Sequence, residues 1–201
     1  MPDWDEDSPR LRENRKQLLT DIRVKALARK PLRLAEAKTW HRAMMSGLTA
    51  PEKTMVGRFR GTHPLSTVEV VVGAYPGVPA AEIASQANRF ETTLREITRH
   101  LDAEIPLDAD LTLDQLSAVI EACAWAHAEW VRIQPFANGN GRTARFWANA
   151  VAMRYQLPPF IRLRPRPNFG YEAASGEAMR GNRKPTEVVF RRMLAVFLQN
   201  K

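Results

Sequence analysis

The chain has 201 residues, 44% of them hydrophobic, with 30 Lys and Arg against 22 Asp and Glu for a formal net charge of +8. That length suits one domain with its own core. The single Cys123 excludes an internal disulfide, and no apolar run approaches the ~20 residues a membrane-spanning helix requires.

Residues 1–7 are acidic and lack an apolar stretch, so no secretory leader is expected and a cytoplasmic location is the default reading. The basic excess raises the question of a polyanionic partner. Its charges are scattered, however. Arg162, Arg164 and Arg166 alternate with Leu163 and Pro165, and Arg180, Arg183, Lys184, Arg191 and Arg192 gather loosely near the C-terminus, without interleaved aromatic residues to stack bases. A solvated basic surface is expected, and nucleic acid is not an expected partner.

In chain order, Ser8-Pro9 predicts an N-cap and a first-turn proline for a helix running to Pro31. A second predicted helix spans 34–48, with Trp40, Ala43, Met44 and Gly47 along one inward side. Residues 55–78 change character, because Gly57, Gly61, Pro64, Gly73, Pro76 and Gly77 punctuate them and Thr67–Val72 alternates with β-branched residues. This predicts a hairpin whose edge can pair with an extended segment of another protein; a plain lid is the alternative. Pro79 opens a long helix to about Ala103, and another runs from Leu113 to Arg132. In the latter, Leu116, Ile120, Cys123, His127 and Val131 share an apolar stripe, which makes His127 a core histidine and Cys123 a buried small hydrophobe. A helix over 141–156, with Phe146, Trp147, Ala150 and Val151 inward, ends at Pro158-Pro159, and shorter helices follow over 170–179 and 185–199. The expected fold is an all-α bundle with one small β-hairpin, residues 1–32 forming an N-terminal helical segment packed on a core of residues 33–201.

Between two of these helices lies Gln134-Pro135-Phe136-Ala137-Asn138-Gly139-Asn140-Gly141-Arg142-Thr143-Ala144-Arg145. Gly139 and Gly141 can take positive φ and turn backbone N–H groups inward, Asn140 adds an amide, and the following helix points its positive end at the same spot. Arg142 and Arg145 are three apart and leave one helical face together. A plain helix–helix turn accounts for the glycines, but not for Asn140 and two arginines in register.

At these residues the chain resembles the Fic family, whose signature H-P-F-x-[D/E/N]-G-N-G-R-x-x-R it matches at every fixed position except the first, Gln134. Further stretches are similar to the family. They are Trp125–Ile133 before the loop, Val56–Gly61, Val68–Gly73 and Val78–Ala80 in the flap region, and Tyr171–Ala174 with residues 185–198 near the end; Trp4–Leu11 is similar to a bacterial subgroup. The resemblance implies a Fic-type bundle that transfers AMP from ATP, with Mg²⁺, to a Ser, Thr or Tyr hydroxyl of a target protein. It assigns Gly139, Asn140, Gly141, Arg142, Arg145 and Tyr171 to the nucleotide, Arg142 toward the β-phosphate and Arg145 toward the γ-phosphate. Asn138 takes the Mg²⁺ position, where a neutral amide binds more weakly than a carboxylate. Thr67, Val68, Glu69, Val70, Val71 and Val72 become the flap that docks the target. Members that transfer phosphate instead carry Lys at the position of Gly141.

Gln134 stands where the family has its general base. An amide does not titrate in the physiological range, and losing such a base typically costs ~10²–10⁴ in rate. Natural silencing and engineered substitution both remain open, and a silent nucleotide- or partner-binding protein is the alternative function. Among other histidines, His127 lies almost two turns upstream, His41 and His100 are not placed by the sequence, and His63 on the hairpin is the one conceivably near. Some family members carry a restraining [S/T]-x-x-x-E-[G/N] helix. Here Ser8 with Glu13-Asn14 is one residue too long and Thr92 with Glu96 is followed by Ile97, which leaves restraint by a separate antitoxin-like chain, or none.

Overall fold

The computed structural model describes residues 8–50, 52–163, 167 and 170–199. Arg164, Arg166 and Trp4–Asp7, singled out in the sequence, lie outside them. Among the described residues there are seven helices: α1 (Pro9–Leu27), α2 (Leu34–Met44), α3 (Ile83–Glu104), α4 (Leu113–Ile133), α5 (Asn140–Arg154), α6 (Tyr171–Met179) and α7 (Lys184–Gln199). One hairpin, β1 (Val71–Val72) with β2 (Tyr75–Pro76), interrupts them. The all-α expectation with a single small hairpin holds.

Local chemistry sets the helix ends. Ser8 Oγ accepts from Leu11 N at 3.1 Å, so α1 starts as expected. It stops before Pro31 because Arg29 turns the chain with φ 46 and donates to Ile105 O at 2.8 Å. Helix α2 ends at Met44 rather than near Leu48, since Asn14 Nδ2 collects the carbonyls of Met44 at 3.0 Å and Ser46 at 2.7 Å. Trp40 and Met44 are buried as expected, but Ala43 and Gly47 face solvent. Thr112 and Gln115 form a reciprocal capping box at the start of α4.

Helix α5 was expected to bury one face. It is instead buried all round, from Arg142 to Arg154, and packs mainly against α4 and α1. A helix enclosed on every side is central, and its polar residues then need internal partners. Aromatic rings from three other helices close around it: Trp147 of α5 meets Trp40 of α2 at 4.6 Å and Phe90 of α3 at 5.3 Å, and Trp130 of α4 meets Phe90 at 5.0 Å. Leu11, Leu18 and Ile22 of α1 join the same core. Ile120, Cys123, His127 and Val131 of α4 are buried, and burial pushes the Cys123 thiol well above its ordinary pKa, which keeps it inert. No described helix is long and apolar enough to cross a membrane.

In the hairpin, Val71 pairs with Pro76 and Val72 with Tyr75, and Gly77 N donates to Val70 O at 2.8 Å. The strand expected over Thr67–Val72 is thus realised in its last two residues. Thr67 lies in a turn, and the stretch that follows is drawn off the ladder: Val68 O accepts from Arg60 Nη1 at 3.4 Å, while the Glu69 carboxylate takes Arg60 Nη1 at 3.1 Å and Ala80 N at 2.9 Å.

Candidate anion-binding site

Helix α4 ends at Gln134, a left-handed residue with φ 53 that caps the helix, its N–H donating to Trp130 O at 3.1 Å. The chain then makes one tight loop and enters α5. Phe136 is fully buried and pins the loop, with Phe59 edge-on at 4.9 Å and His41 stacked at 4.3 Å. Asn140 closes the turn like a strand partner: its Oδ1 accepts from Phe136 N at 2.8 Å and its Nδ2 donates to Phe136 O at 2.7 Å. The Asn140 side-chain amide therefore shapes the loop. Gly139 has φ 79, and a Cβ there would sit 3.1 Å from His41 Nε2, so glycine is required twice over. Gly141, expected at positive φ, is ordinary helix. A Cβ on it would meet only Arg145 Nη1, at 3.7 Å, so the chain's own packing does not demand glycine there.

The two arginines are buried, Arg142 to 6% exposure and Arg145 to 4%, and are held by different elements. Arg142 Nη2 donates to Asn138 Oδ1 at 3.3 Å, and Arg145 Nη1 donates to Tyr171 Oη at 3.0 Å. Arg145 Nε has no partner among the described residues. Tyr171 Oη in turn lies 2.7 Å from His127 Nε2. The Tyr171 hydroxyl, expected at the nucleotide, is thus directed at Arg145 and His127.

Two residues that the sequence did not place organise the loop. His41 of α2 accepts from Gly57 N at Nδ1, 3.0 Å, so its proton sits on Nε2 and is donated to Asn138 O at 3.1 Å. Burial, opposed by that bond and aided by nearby Arg142, pushes His41 down to about 4 and keeps the ring neutral. His41, not His63, is the histidine at the loop. Arg60, fully buried, donates from Nε to Gln134 O at 2.6 Å and from Nη2 to Ile133 O at 3.0 Å and to Val78 O. It thereby satisfies the open carbonyls at the end of α4 while holding both sides of the hairpin base. Burial lowers its pKa, offset by Glu69.

The Gln134 side chain folds back on α4, Nε2 donating to Val131 O at 2.7 Å, with only 5% exposure. Gly77 lies directly over it: a Cβ at Gly77 would come within 2.8 Å of Gln134 Cβ. Beside the turn a cleft of about 230 Å³ opens between His41, Met45, Met55, Val56, Asn138 and Arg142. Mg²⁺ prefers one or two carboxylates along with phosphate oxygens. Asn138 Oδ1 is already engaged by Gly139 N and Arg142, and the described residues hold no cluster of His, Cys, Asp and Glu, so the loop does not form a Mg²⁺ site by itself.

A left-handed turn, a helix start without a side-chain cap and two buried arginines make a candidate anion site on a helical fold, and the comparisons give that fold a family. The Fic/DOC family pattern matches residues 31–152, more than half of the chain, and the chain belongs to that family. It is 35% identical over 97 residues to the protein adenylyltransferase fic-1 of Caenorhabditis elegans, covering 48% of this chain and 16% of that protein. The protein adenylyltransferase Fic of Nematostella vectensis is 41% identical over 66 residues, covering 33% of this chain and 15% of the relative. The aligned stretches thus span about a sixth of these curated relatives. Among solved structures, Fic-1 of C. elegans superposes with a TM-score of 0.61 at 22% identity, over 93% of this chain and 49% of that one. BepC of Bartonella tribocorum, solved with bound AMPPNP, superposes with a TM-score of 0.55 at 15% identity, over 96% and 90%. At these identities the structural likeness establishes the fold.

Proposed function

We propose that this chain is a protein adenylyltransferase domain that binds ATP along Gly139–Arg145 and transfers AMP to a Ser, Thr or Tyr hydroxyl of a target protein, at a rate held down by Gln134. One observation carries the reading. At the start of α5, open backbone at Gly141 converges with two buried guanidinium groups, of which Arg145 has uncharged Tyr171 as its hydrogen-bond partner. The relatives named protein adenylyltransferases support it, as do neighbours solved with AMPPNP and ADP.

In the transfer, the target hydroxyl oxygen attacks the α-phosphorus, the bond to the pyrophosphate oxygen breaks, and the hydroxyl proton needs an acceptor. Arg142 holds the β-phosphate, Arg145 the γ-phosphate, and the backbone of Gly139–Gly141 receives the oxygens between them. A Mg²⁺ accompanying the triphosphate would find the neutral Asn138 amide as a ligand and would offset phosphate charge. The target lies along the exposed edge at Val71 and Val72, and an antitoxin-like chain would restrain the domain by presenting an acid to Arg145. Gln134 offers the proton no acceptor.

A second reading, a silent protein that holds nucleotide or a partner, is favoured by the Gln134 amide being satisfied at Val131. Transfer of radiolabelled AMP onto lysate proteins separates the two. Gln134→His should raise labelling by at least ~10²-fold over the wild type, and Arg145→Ala in that background should abolish the gain. An inert Gln134→His chain that still binds ATP in titration calorimetry would favour the silent reading. Absence of ATP binding would defeat the first reading and leave of the second only a protein that holds a partner.

A further inference from the structure

A buried polar constellation runs from the loop into the core. His127, with no exposure, sits mid-way along α4; its ring contacts Tyr171 and Phe190 edge-on, both at 5.3 Å. Tyr171 opens α6, with its hydroxyl between His127 Nε2 at 2.7 Å and Arg145 Nη1 at 3.0 Å. A guanidinium can only donate, so Tyr171 Oη accepts from Arg145. The arrangement that also uses the hydroxyl's single proton directs it at His127 Nε2, the bare nitrogen in that case. His127 is then neutral and carries its proton on Nδ1. Burial, aided by the charge of Arg145, pushes its pKa down to about 3, in keeping with that state. Among the described residues Nδ1 finds no partner, and neither does Arg145 Nε. A histidine that leaves a buried donor unmet is a poor choice for packing alone.

We propose that Tyr171 and His127 are an uncharged positioning pair for Arg145, fixing its guanidinium at the phosphate site without neutralising it. The proposal rests on the nucleotide reading of the loop. A carboxylate in the place of Tyr171 would hold Arg145 more firmly, but it would cancel the charge that a phosphate needs. A hydroxyl backed by a neutral imidazole orients the fork and leaves the whole positive charge for the ligand. The ring of Tyr171 adds a face to the same cation, 5.7 Å from its centroid. Tyr171 therefore serves the nucleotide through Arg145 and not by touching it.

The variant Tyr171→Phe keeps the ring and removes the hydroxyl. Titration calorimetry of the wild type and this variant with ATP and with ADP, which lacks the γ-phosphate, should show ATP affinity falling about tenfold and ADP affinity by less than about twofold. Equal losses for both nucleotides, or none, would overturn the positioning pair while leaving the nucleotide reading intact. A wild type that binds neither nucleotide overturns both. Ring-nitrogen shifts of His127 in the folded wild-type chain give an independent reading: the neutral Nδ1–H form at neutral pH supports the pair, and an Nε2–H or doubly protonated ring refutes it.

Discussion

From Gln134 to Arg145 the loop is held from inside. Phe136 is in the aromatic core, Asn140 bonds both backbone groups of Phe136, and His41, Arg60 and Tyr171 reach in from three other elements. From Thr67 to Gly77 the hairpin has two residues per strand, with Val71 64% and Val72 46% exposed. The two regions share a single strong connection, Arg60, which takes carbonyls from the end of α4 and from the hairpin base. The difference follows from what each must meet. A phosphate has one shape, so its receptor gains from being rigid before binding; an extended peptide brings its own backbone donors and acceptors, so an open, lightly paired edge suffices.

Acid should break the loop side of this comparison and gives the largest expected effect. His41 and His127 are neutral in the fold, with pKa values pushed down to about 4 and about 3 from 6.5. Above 6.5 both folded and unfolded chains are neutral there, and stability is complete. As pH falls through 6.5 the unfolded chain takes up protons that the folded one refuses, so stability drops by up to ~1.4 kcal/mol per pH unit for each ring, until the folded histidines titrate. Urea unfolding should record a loss on the order of 4 kcal/mol between about pH 7 and pH 5. A flat profile across that window would mean that the two rings are not held neutral.

Removing the connection comes next. Arg60→Ala leaves the carbonyls of Ile133, Gln134 and Val78 without their Arg60 donor and removes the ion pair to Glu69, so stability should fall by about 3 kcal/mol, read as a lower urea midpoint. Because the same side chain anchors the hairpin base, amide exchange should accelerate at Gly77 and Ala80 beyond the global change. A uniform acceleration would show that the hairpin is not tied to the loop through Arg60.

The loop was readable from sequence because its chemistry is local: Gly139 takes the left-handed turn, Phe136 enters the core, and the arginines follow at helical spacing. What the sequence does not carry there is the direction of each side chain. Asn140 reads as a ligand amide until Phe136 is seen to occupy both of its ends, and the Tyr171 hydroxyl reads as a ligand contact until Arg145 and His127 are found on either side. Arg60 and His41 went unread because their partners are far along the chain, 74 residues away at Gln134 and 97 at Asn138. The one available signal for Arg60 was a lone arginine following Phe59 in a glycine-bounded stretch, together with the general need of a helix end for donors. The ends of α1 and α2 were placed too late for a similar reason, since Arg29 and Asn14 stop them through contacts outside the local pattern.

The smallest effect on stability, and the one that most sharpens the contrast, is expected on the hairpin edge. Val71 is 64% exposed, and opposite Pro76, beside the Gly77 N to Val70 O bond, its N–H points away from the ladder, so Val71→Pro removes an outward-facing donor and almost no buried area. Its cost should be about 0.5 kcal/mol, and ATP affinity should stay within about twofold of the wild type, because Val71 is exposed and its change buries or frees almost nothing. Transfer is a different matter. If a target lies along this edge by backbone pairing, a missing N–H and a rigid ring disrupt the docking strand, and in the Gln134→His background labelling of protein targets should fall at least tenfold while nucleotide binding is unchanged. Labelling that survives Val71→Pro would move the target off the hairpin, and a parallel loss of ATP affinity would show that the edge and the cradle are a single cooperative unit.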